Sequence, residues 1–366
     1  MRAFLRAAEA TLWEILTTRE LLSLAIVSVL FYAFYYPAPY SRQAAVAVPL
    51  VVVDADDSAL SRAVVRRLDQ TEAVRVVAHV PSIAAARVVV EERRAVGMLV
   101  LSRGLSSALQ TQRPGAGIAL VVNASYFVRA ETIAKALAEV AAGVARDLGL
   151  SRGLRETAVP IKVQALFNTT GGYRDYVFPA VANVILQQTL MFTAARLAAE
   201  RRRRGHRWGG PAGTLGTWAA LVLVGLLAGA FVFGFAYWLQ DVPRGGNTVG
   251  LLLALPLFAA AVAALGLLLG SVFRNGDDAL KLLMPTSVPL VFLAGFAWPL
   301  SAMPSWLATL AWLSPATAAM HLFIRFNQMG ASLAEAAMPL AVMALLALCY
   351  GGAWLWRGSR MPVTPA

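Results

Sequence analysis

The sequence predicts an α-helical membrane protein with six transmembrane helices, a re-entrant helix pair, and an extracytoplasmic α/β domain inserted between spans 1 and 2. Three observations lead to this prediction. Hydrophobic residues make up 58% of the 366 residues and charged residues only 14%, whereas about a quarter of a soluble domain is charged. Several apolar runs reach the roughly 20 residues that a helix needs to cross a bilayer. In residues 40–175, by contrast, the apolar runs shorten to strand length.

The amino-terminal part combines an interface helix with the first span. Residues 1–20 put their apolar side chains on one helical face and their charges elsewhere, which predicts a cytoplasmic amphipathic helix lying on the membrane. Residues 21–36 form the first predicted span. Its five aromatic residues before Pro37 resemble the aromatic belt of a membrane interface.

Residues 40–175 are predicted to form a small α/β domain. Runs rich in β-branched residues predict strands, and each of the first four is followed by an amphipathic helical segment, which indicates a mainly parallel sheet. We expect Asp56 or Asp57 to cap the first helix and Ser125 to cap a longer one. The predicted strands are 46–53, 74–80, 96–101, 118–122 and a last one at 161–167.

The remainder, 176–360, reads as a transmembrane domain of five further spans. Pro285 and Pro289 interrupt the fourth of them, and two apolar stretches within 304–324 are too short to cross, which predicts the re-entrant pair. The predicted spans are 176–199, 215–239, 248–273, 282–300 and 333–356.

Positive charge in short loops predicts the orientation. Six arginines fall within 196–213, and positive residues near span ends stay cytoplasmic. This assignment puts both termini in the cytoplasm and residues 40–175 outside, in the periplasm. The net charge of +12 therefore indicates topology rather than nucleic-acid binding, because the arginines of the inserted domain alternate with acidic residues.

The composition also excludes several kinds of chemistry. The single cysteine, Cys349, excludes disulfide frameworks and cysteine metal clusters. The three histidines lie in different predicted compartments, so we expect no metal site. None of the three lysines follows a glycine-rich turn, so we expect no phosphate-binding loop and no cofactor in this chain.

Two motifs carry a resemblance to a known family. The return into the membrane reads Phe-Asn-Thr-Thr-Gly-Gly-Tyr at 167–173, and Ile-Leu-Gln-Gln-Thr-Leu follows at 185–190. A second motif, Arg-Phe-Asn-Gln-Met-Gly-Ala, occupies 325–331. The chain resembles the ABC-2 type of transport permeases over essentially its whole length. It departs from the family pattern at Thr169, where proline is usual.

The resemblance implies a non-catalytic permease subunit of an ATP-driven ABC exporter in the bacterial inner membrane, moving an amphipathic drug, a lipid or a similar substrate outward. The implied partners are cytoplasmic ATP-binding-cassette ATPase subunits, which bind the ATP, and a second permease chain in a homodimer or heterodimer. By the same resemblance, the outer domain would meet a periplasmic adaptor protein or shape the exit path.

Three groups of residues are candidates for these roles. Amides inside a span are costly without partners, so Asn183, Gln187 and Gln188 either line the pathway or make interhelical hydrogen bonds. Residues 195–207 either form a short coupling helix that docks on the ATPase or only fix the topology. The arginines of this segment are Arg196, Arg201, Arg202, Arg203, Arg204 and Arg207.

The third group is a candidate external gate in the re-entrant pair and the turn after it. His321 and Arg325 are spaced to share one face of a helix, and Asn327 and Gln328 follow them. These side chains either gate the exit and meet an anionic substrate, or they only snorkel and hydrogen-bond at the interface.

Two functions of other classes compete with export. A membrane-anchored sensor or assembly factor would need a ligand-binding outer domain but neither intramembrane amides nor a re-entrant pair. A secondary transporter would be expected to carry carboxylates in mid-span, whereas Glu335 lies near a span edge.

Overall fold

The computed structural model describes residues 1–40, 46–111, 117–122, 127–147, 173–205, 208 and 210–360. The chain divides into two compact units, of which one comprises Met1–Ser41 and Ala165–Ala366 and the other Arg42–Gln164. The first unit is helical, and the second contains a four-stranded sheet.

The chain begins with two successive helical segments. Helix α1 (Arg2–Thr17) ends at Thr18, whose backbone is extended. Helix α2 (Arg19–Leu22), a π turn (Ser23–Val27) and α3 (Ser28–Tyr35) follow without a break and lie within the candidate membrane span Arg19–Tyr40.

The second unit contains a mixed sheet of four strands in the order β2-β1-β3-β4. Strand β1 is parallel to β2 and β3, while β4 is antiparallel to β3. The strands are β1 (Val48–Asp54), β2 (Val74–His79), β3 (Gly97–Leu101) and β4 (Ile118–Val122). The helices are α4 (Ala59–Asp69), α5 (Ile83–Glu91), α6 (Leu105–Thr111) and α7 (Phe127–Asp147).

The first four predicted strands are present, and three of them are parallel. The sheet is thus mainly parallel, as predicted, and β4 is its antiparallel strand. Helix α6 has seven residues, which carry the chain only about 10 Å, and Ser102 at the end of β3 hydrogen-bonds Gly117 just before β4. The chain therefore re-enters the sheet from the end at which β3 left it. The predicted strand 161–167 and Ser125 lie outside the described residues.

The predicted cap of α4 is wrong by one residue. Ser58 caps this helix, and its side chain and that of Ser61 each accept the other residue's backbone N–H, at 3.1 and 2.9 Å. The reason is that Asp54 accepts the backbone N–H groups of Asp56 and Asp57, which keeps both in the preceding turn.

The rest of the chain is helical. Helix α8 is Tyr173–Arg203, and α9 (Gly210–Ala230), a π turn (Phe231–Ala236) and α10 (Tyr237–Leu239) form one continuous segment. The later helices are α11 (Thr248–Gly270), α12 (Gly276–Leu283), α13 (Ser287–Leu293), α14 (Ser305–Ala311), α15 (Pro315–Asn327) and α16 (Ala337–Arg360).

Among the described residues, five helical segments are long and apolar enough to cross a membrane. They are Arg19–Tyr40, Arg174–Arg203, Gly210–Leu239, Thr248–Gly270 and Ala337–Gly358. Helices α14 and α15 meet at a bend of 78°, and we call them the bent pair.

The predicted span 282–300 is not a single long helix. It consists of the end of α12, a 3-10 turn (Met284–Thr286), α13, and a turn at Gly295, whose φ is +92°. Pro285 lies in the 3-10 turn, where its missing N–H interrupts the helical hydrogen bonds.

Helix α8 lies at the centre of the helical unit. The most apolar stretch of α8 is 94% buried, whereas the corresponding stretches of the other four segments are only 28–56% buried. Helix α11 packs on it through Gly266 and Gly270. A Cβ atom at Gly266 would lie 2.7 Å from Ala194 Cβ. Small residues four apart let two membrane helices approach closely.

We expect Gly270→Ala to destabilise the helical unit by about 1–3 kcal/mol, because the added methyl group would collide with the Ala195 backbone. Thermal unfolding in detergent measures this. Gly352→Ala is the matched control, since a Cβ there meets nothing within 4 Å. Equal melting temperatures for the two variants would contradict the close packing of α8 and α11.

Candidate functional site

The carboxyl-terminal end of α8 carries an arginine cluster, which we define as Arg196, Arg201, Arg202, Arg203 and Arg204. Residues 195–203 continue α8 without a break, so they do not form the separate short helix that the sequence suggested. Any movement of this end is therefore a movement of α8 itself. Arg207 lies outside the described residues.

Arg201 is the buried member of the cluster, with a side chain only 3% exposed. Its guanidinium group donates to Glu14 Oε2 at 2.9 Å, Thr11 Oγ1 at 2.8 Å and Thr217 Oγ1 at 2.9 Å. Its carbon Cζ lies 5.6 Å from the ring centroid of Trp208. Arg201 therefore fastens α1 to α8 and α9 and does not face solvent.

Arg202 closes the carboxyl-terminal end of α11. Its Nη1 donates to the carbonyl oxygens of Ser271 at 2.6 Å and Val272 at 2.8 Å, and Arg357 donates to Ser271 Oγ at 2.7 Å. The last carbonyl groups of a helix have no partner within it and carry partial negative charge. Two cations therefore stabilise this helix end.

Arg196 and Glu200 contact the beginning of α12. Arg196 Nη1 lies 2.7 Å from Asp277 Oδ1, and Glu200 Oε1 accepts the backbone N–H of Gly276 at 3.0 Å. The hydrogen bond and the positive charge of Arg196 lower the pKa of Asp277 below its ordinary value. This end of α8 thus contacts α1, α9, α11 and α12.

Arg203 and Arg204 are exposed members of the cluster, with side chains 59% and 55% exposed. They border a charged cleft of about 350 Å³, which Glu14, Glu20 and Asp277 also line. The cleft presents both signs of charge to solvent. Arg202 is exposed as well, but its guanidinium group is hydrogen-bonded to the end of α11 and does not line the cleft.

A second polar site lies midway along α8, where it meets the bent pair. Gln187 Oε1 accepts the backbone N–H of Ala316 at 2.6 Å, and the Gln187 amide also hydrogen-bonds the Ser314 hydroxyl at 3.1 Å. The amide therefore caps the amino-terminal end of α15, where N–H groups have no helical partner. Gln187 was predicted either to line the pathway or to make an interhelical hydrogen bond, and it makes the interhelical hydrogen bond.

Asn183 and Gln188 are less satisfied than Gln187. Asn183 Nδ2 donates to the Pro179 carbonyl at 2.8 Å. Its Oδ1, and both amide atoms of Gln188, are buried without a hydrogen-bond partner among the described residues. Buried amide atoms of this kind are costly unless water or a ligand pairs with them.

The four candidate gate residues do not contact a common partner. The His321 ring stacks on Trp312 with centroids 5.2 Å apart, and Arg325 Nη1 donates to the Glu335 carbonyl at 3.0 Å. The amide nitrogens of Asn327 and Gln328 are buried without a partner in the described part of the chain. The four residues therefore share the region of α15 without forming one hydrogen-bonded group there.

Asn247, which is not among the residues predicted from the sequence, fastens the end of α15. Asn247 Nδ2 donates to the Ala331 carbonyl at 2.7 Å, and its backbone N–H donates to that of Phe326 at 2.7 Å. Its Oδ1 caps α11 by accepting the Gly250 N–H at 2.9 Å. Asparagine directly before an apolar helix is a recognisable cap signal.

One continuous helix, α8, joins the arginine cluster to the contact with the bent pair. Over the residues that the structure describes, no group of three or more His, Cys, Asp or Glu side chains could hold a metal ion.

Comparison with known proteins gives two findings. The family model for ABC-2 family transporter proteins matches residues 19–356. The probable multidrug ABC transporter permease YbhR of Escherichia coli, in strains K12 and O157:H7, is 21% identical over 160 residues, which cover 42% of this chain and 44% of the relative. The chain thus spans less than half the length of the curated relatives it matches.

Proposed function

This chain belongs to the ABC-2 family of transporters, and from that membership we propose that it is the permease subunit of an ATP-driven exporter. Members of this family are membrane components of transporters, and the chain is a multi-pass membrane protein with several apolar helices. The observation that carries the proposal is the continuity of α8 from the arginine cluster to Gln187. Movement imposed at one end of this helix would reach the bent pair.

We propose that the fifth crossing exists as a broken helix. Asp277 contacts Arg196 at one end of α8, and the Tyr176 hydroxyl donates to the Phe296 carbonyl at 2.7 Å near the other end. A helix from 176 to 196 rises about 30 Å, the thickness of the hydrocarbon core. These contacts support six crossings, with 277–296 following α8 along its length.

The bent pair is proposed to be re-entrant. Ser314, at its bend, contacts Gln187 midway along α8. Beyond the bend, the Asn327 carbonyl accepts the N–H of Gly246, in the loop before α11. A segment that turns back halfway needs hydrogen-bond partners within the protein, and Gln187 supplies them.

The proposed orientation puts the arginine cluster in the cytoplasm, because short positively charged loops stay on that side. Both termini are then cytoplasmic, and residues 40–175 are periplasmic in the bacterial inner membrane. The proposed coupling surface consists of Arg203, Arg204 and the charged cleft. At this surface the chain would bind an ATPase subunit, which in turn binds the ATP.

The proposed pathway involves Asn183 and Gln188, whose unpartnered buried amide atoms support contact with water or a polar group of the substrate.

The external gate is proposed to contain His321, Arg325, Asn327 and Gln328. The relative named a probable multidrug permease supports an amphipathic drug, a lipid or a similar substrate. A second permease chain and a periplasmic adaptor complete the proposed assembly.

Copurification tests the coupling proposal. We expect the tagged chain to bring down an ATP-binding-cassette ATPase from its native membranes, and we expect Arg203→Glu/Arg204→Glu to reduce the recovered ATPase about tenfold by reversing two accessible charges. The control Arg244→Glu/Arg274→Glu makes the same change of charge outside the cleft. Recovery of no ATPase, or equal recovery with both folded variants, would refute the proposal.

A further inference from the structure

An apolar groove lies between the amino-terminal helix and two candidate spans. Its walls come from the second half of α1, from the span Arg19–Tyr40, and from α9 with the π turn that follows it. The groove has a volume of about 420 Å³, within the range of roughly 300–1,000 Å³ that small-molecule sites occupy.

Hydrogen bonds join the walls of the groove beyond both of its ends. Arg201 holds α1 through Glu14 and Thr11. Past the other end, Gln240 Nε2 donates to the Ala33 carbonyl at 2.9 Å and so joins the two spans. Ala25 and Ala228 lack the bulk to fill the space between these anchors.

The surroundings of the groove indicate its occupant. Two of its walls are helices apolar enough to cross the membrane, and α1 meets them with an apolar face. Leu16, Leu30 and Leu227 on the rim are 53%, 43% and 62% exposed, so the groove opens sideways toward lipid. An empty space of this size would deprive its lining of dispersion contacts.

We propose that the groove binds one acyl chain of a bilayer phospholipid, whose headgroup lies at the level of α1. The inference rests on the position of the groove in the membrane and does not need the exporter function. An amphipathic helix lies at the boundary between headgroups and acyl chains, which is where a lipid chain would enter. The bound lipid would fill the space between α1 and the two spans, between the contacts made by Arg201 and Gln240.

Lipid retention tests the proposal with the full chain. After exhaustive washing in detergent, native mass spectrometry of the wild type should detect retained phospholipid, and Ala228→Phe should reduce it about tenfold by filling the groove. Leu252→Phe is the control, because Leu252 is 65% exposed on α11 outside the groove. Equal retention in the two folded variants, or none in the wild type, would overturn the proposal.

Photocross-linking in intact membranes keeps the proposal testable if Ala228→Phe fails to fold. A benzophenone amino acid at position 227 should label phospholipid that survives the detergent wash, whereas the same group at position 252 should label only lipid that washes away. Cross-linking from position 227 to a second copy of the chain, without lipid, would show that protein covers the groove and would overturn the proposal.

Discussion

Arg201→Ala is expected to lower the free energy of unfolding of the helical unit by about 3 kcal/mol, because removing one partner of a buried ion pair leaves the other charge uncompensated. Glu14 would keep only Arg204, at 3.3 Å, and the hydroxyl groups of Thr11 and Thr217 would lose a donor. Reversible unfolding in mixed micelles measures the change. Hydrogen exchange in α1 should rise in the same variant, since α1 loses its link to α8.

Two further variants separate burial from charge. Arg203→Ala removes an exposed arginine that pairs with Glu200 at 2.9 Å, and exposed pairs contribute about 1 kcal/mol or less. Glu14→Gln combined with Arg201→Ala should cost less than the sum of the two single changes, because the two side chains form one ion pair and each single change already removes it. If Arg201→Ala were as mild as Arg203→Ala, Arg201 would not be the link between α1 and α8.

The role of Arg201 shows what the sequence could not reveal. A run of four arginines after an apolar span predicts solvent-exposed side chains, and Arg202, Arg203 and Arg204 are exposed. Arg201 differs because its partner Glu14 lies 187 positions away in the chain. Helical phase alone does not show which arginine of the run turns toward α1. That choice depends on how α1 packs against α9, where Gly216 admits the α1 backbone closely.

Local patterns predicted other features well. The apolar runs locate the helices of five of the six predicted spans, one before the inserted domain and four after it, since length and hydropathy are local properties. The β-branched runs locate β1 to β4 for the same reason. The break at Pro285 was also predictable, because proline interrupts a helix locally. The cap of α4 was not, because it is decided by competition between neighbouring groups, in which Asp54 captures the N–H groups of Asp56 and Asp57.

Gln187→Leu is expected to abolish export while leaving the arginine cluster intact. Leucine has no acceptor for the Ala316 N–H or partner for the Ser314 hydroxyl, and an unsatisfied buried group costs about 1–3 kcal/mol. Because both groups lie at the bend between α14 and α15, the loss would loosen the bent pair against α8. Export of a fluorescent amphipathic cation by inverted vesicles, together with thermal unfolding, measures both effects.

Gln188→Leu, at the next position, distinguishes a pathway role from a structural one. Both amide atoms of Gln188 are buried without a partner among the described residues, so leucine should change the melting temperature little or raise it. If Gln188 meets water or substrate during transport, export should nevertheless fall, so stability and activity would change in opposite directions. A stable Gln188→Leu variant with full export would remove Gln188 from the pathway. If Gln187→Leu exported normally, the amide cap on α15 would have no part in transport.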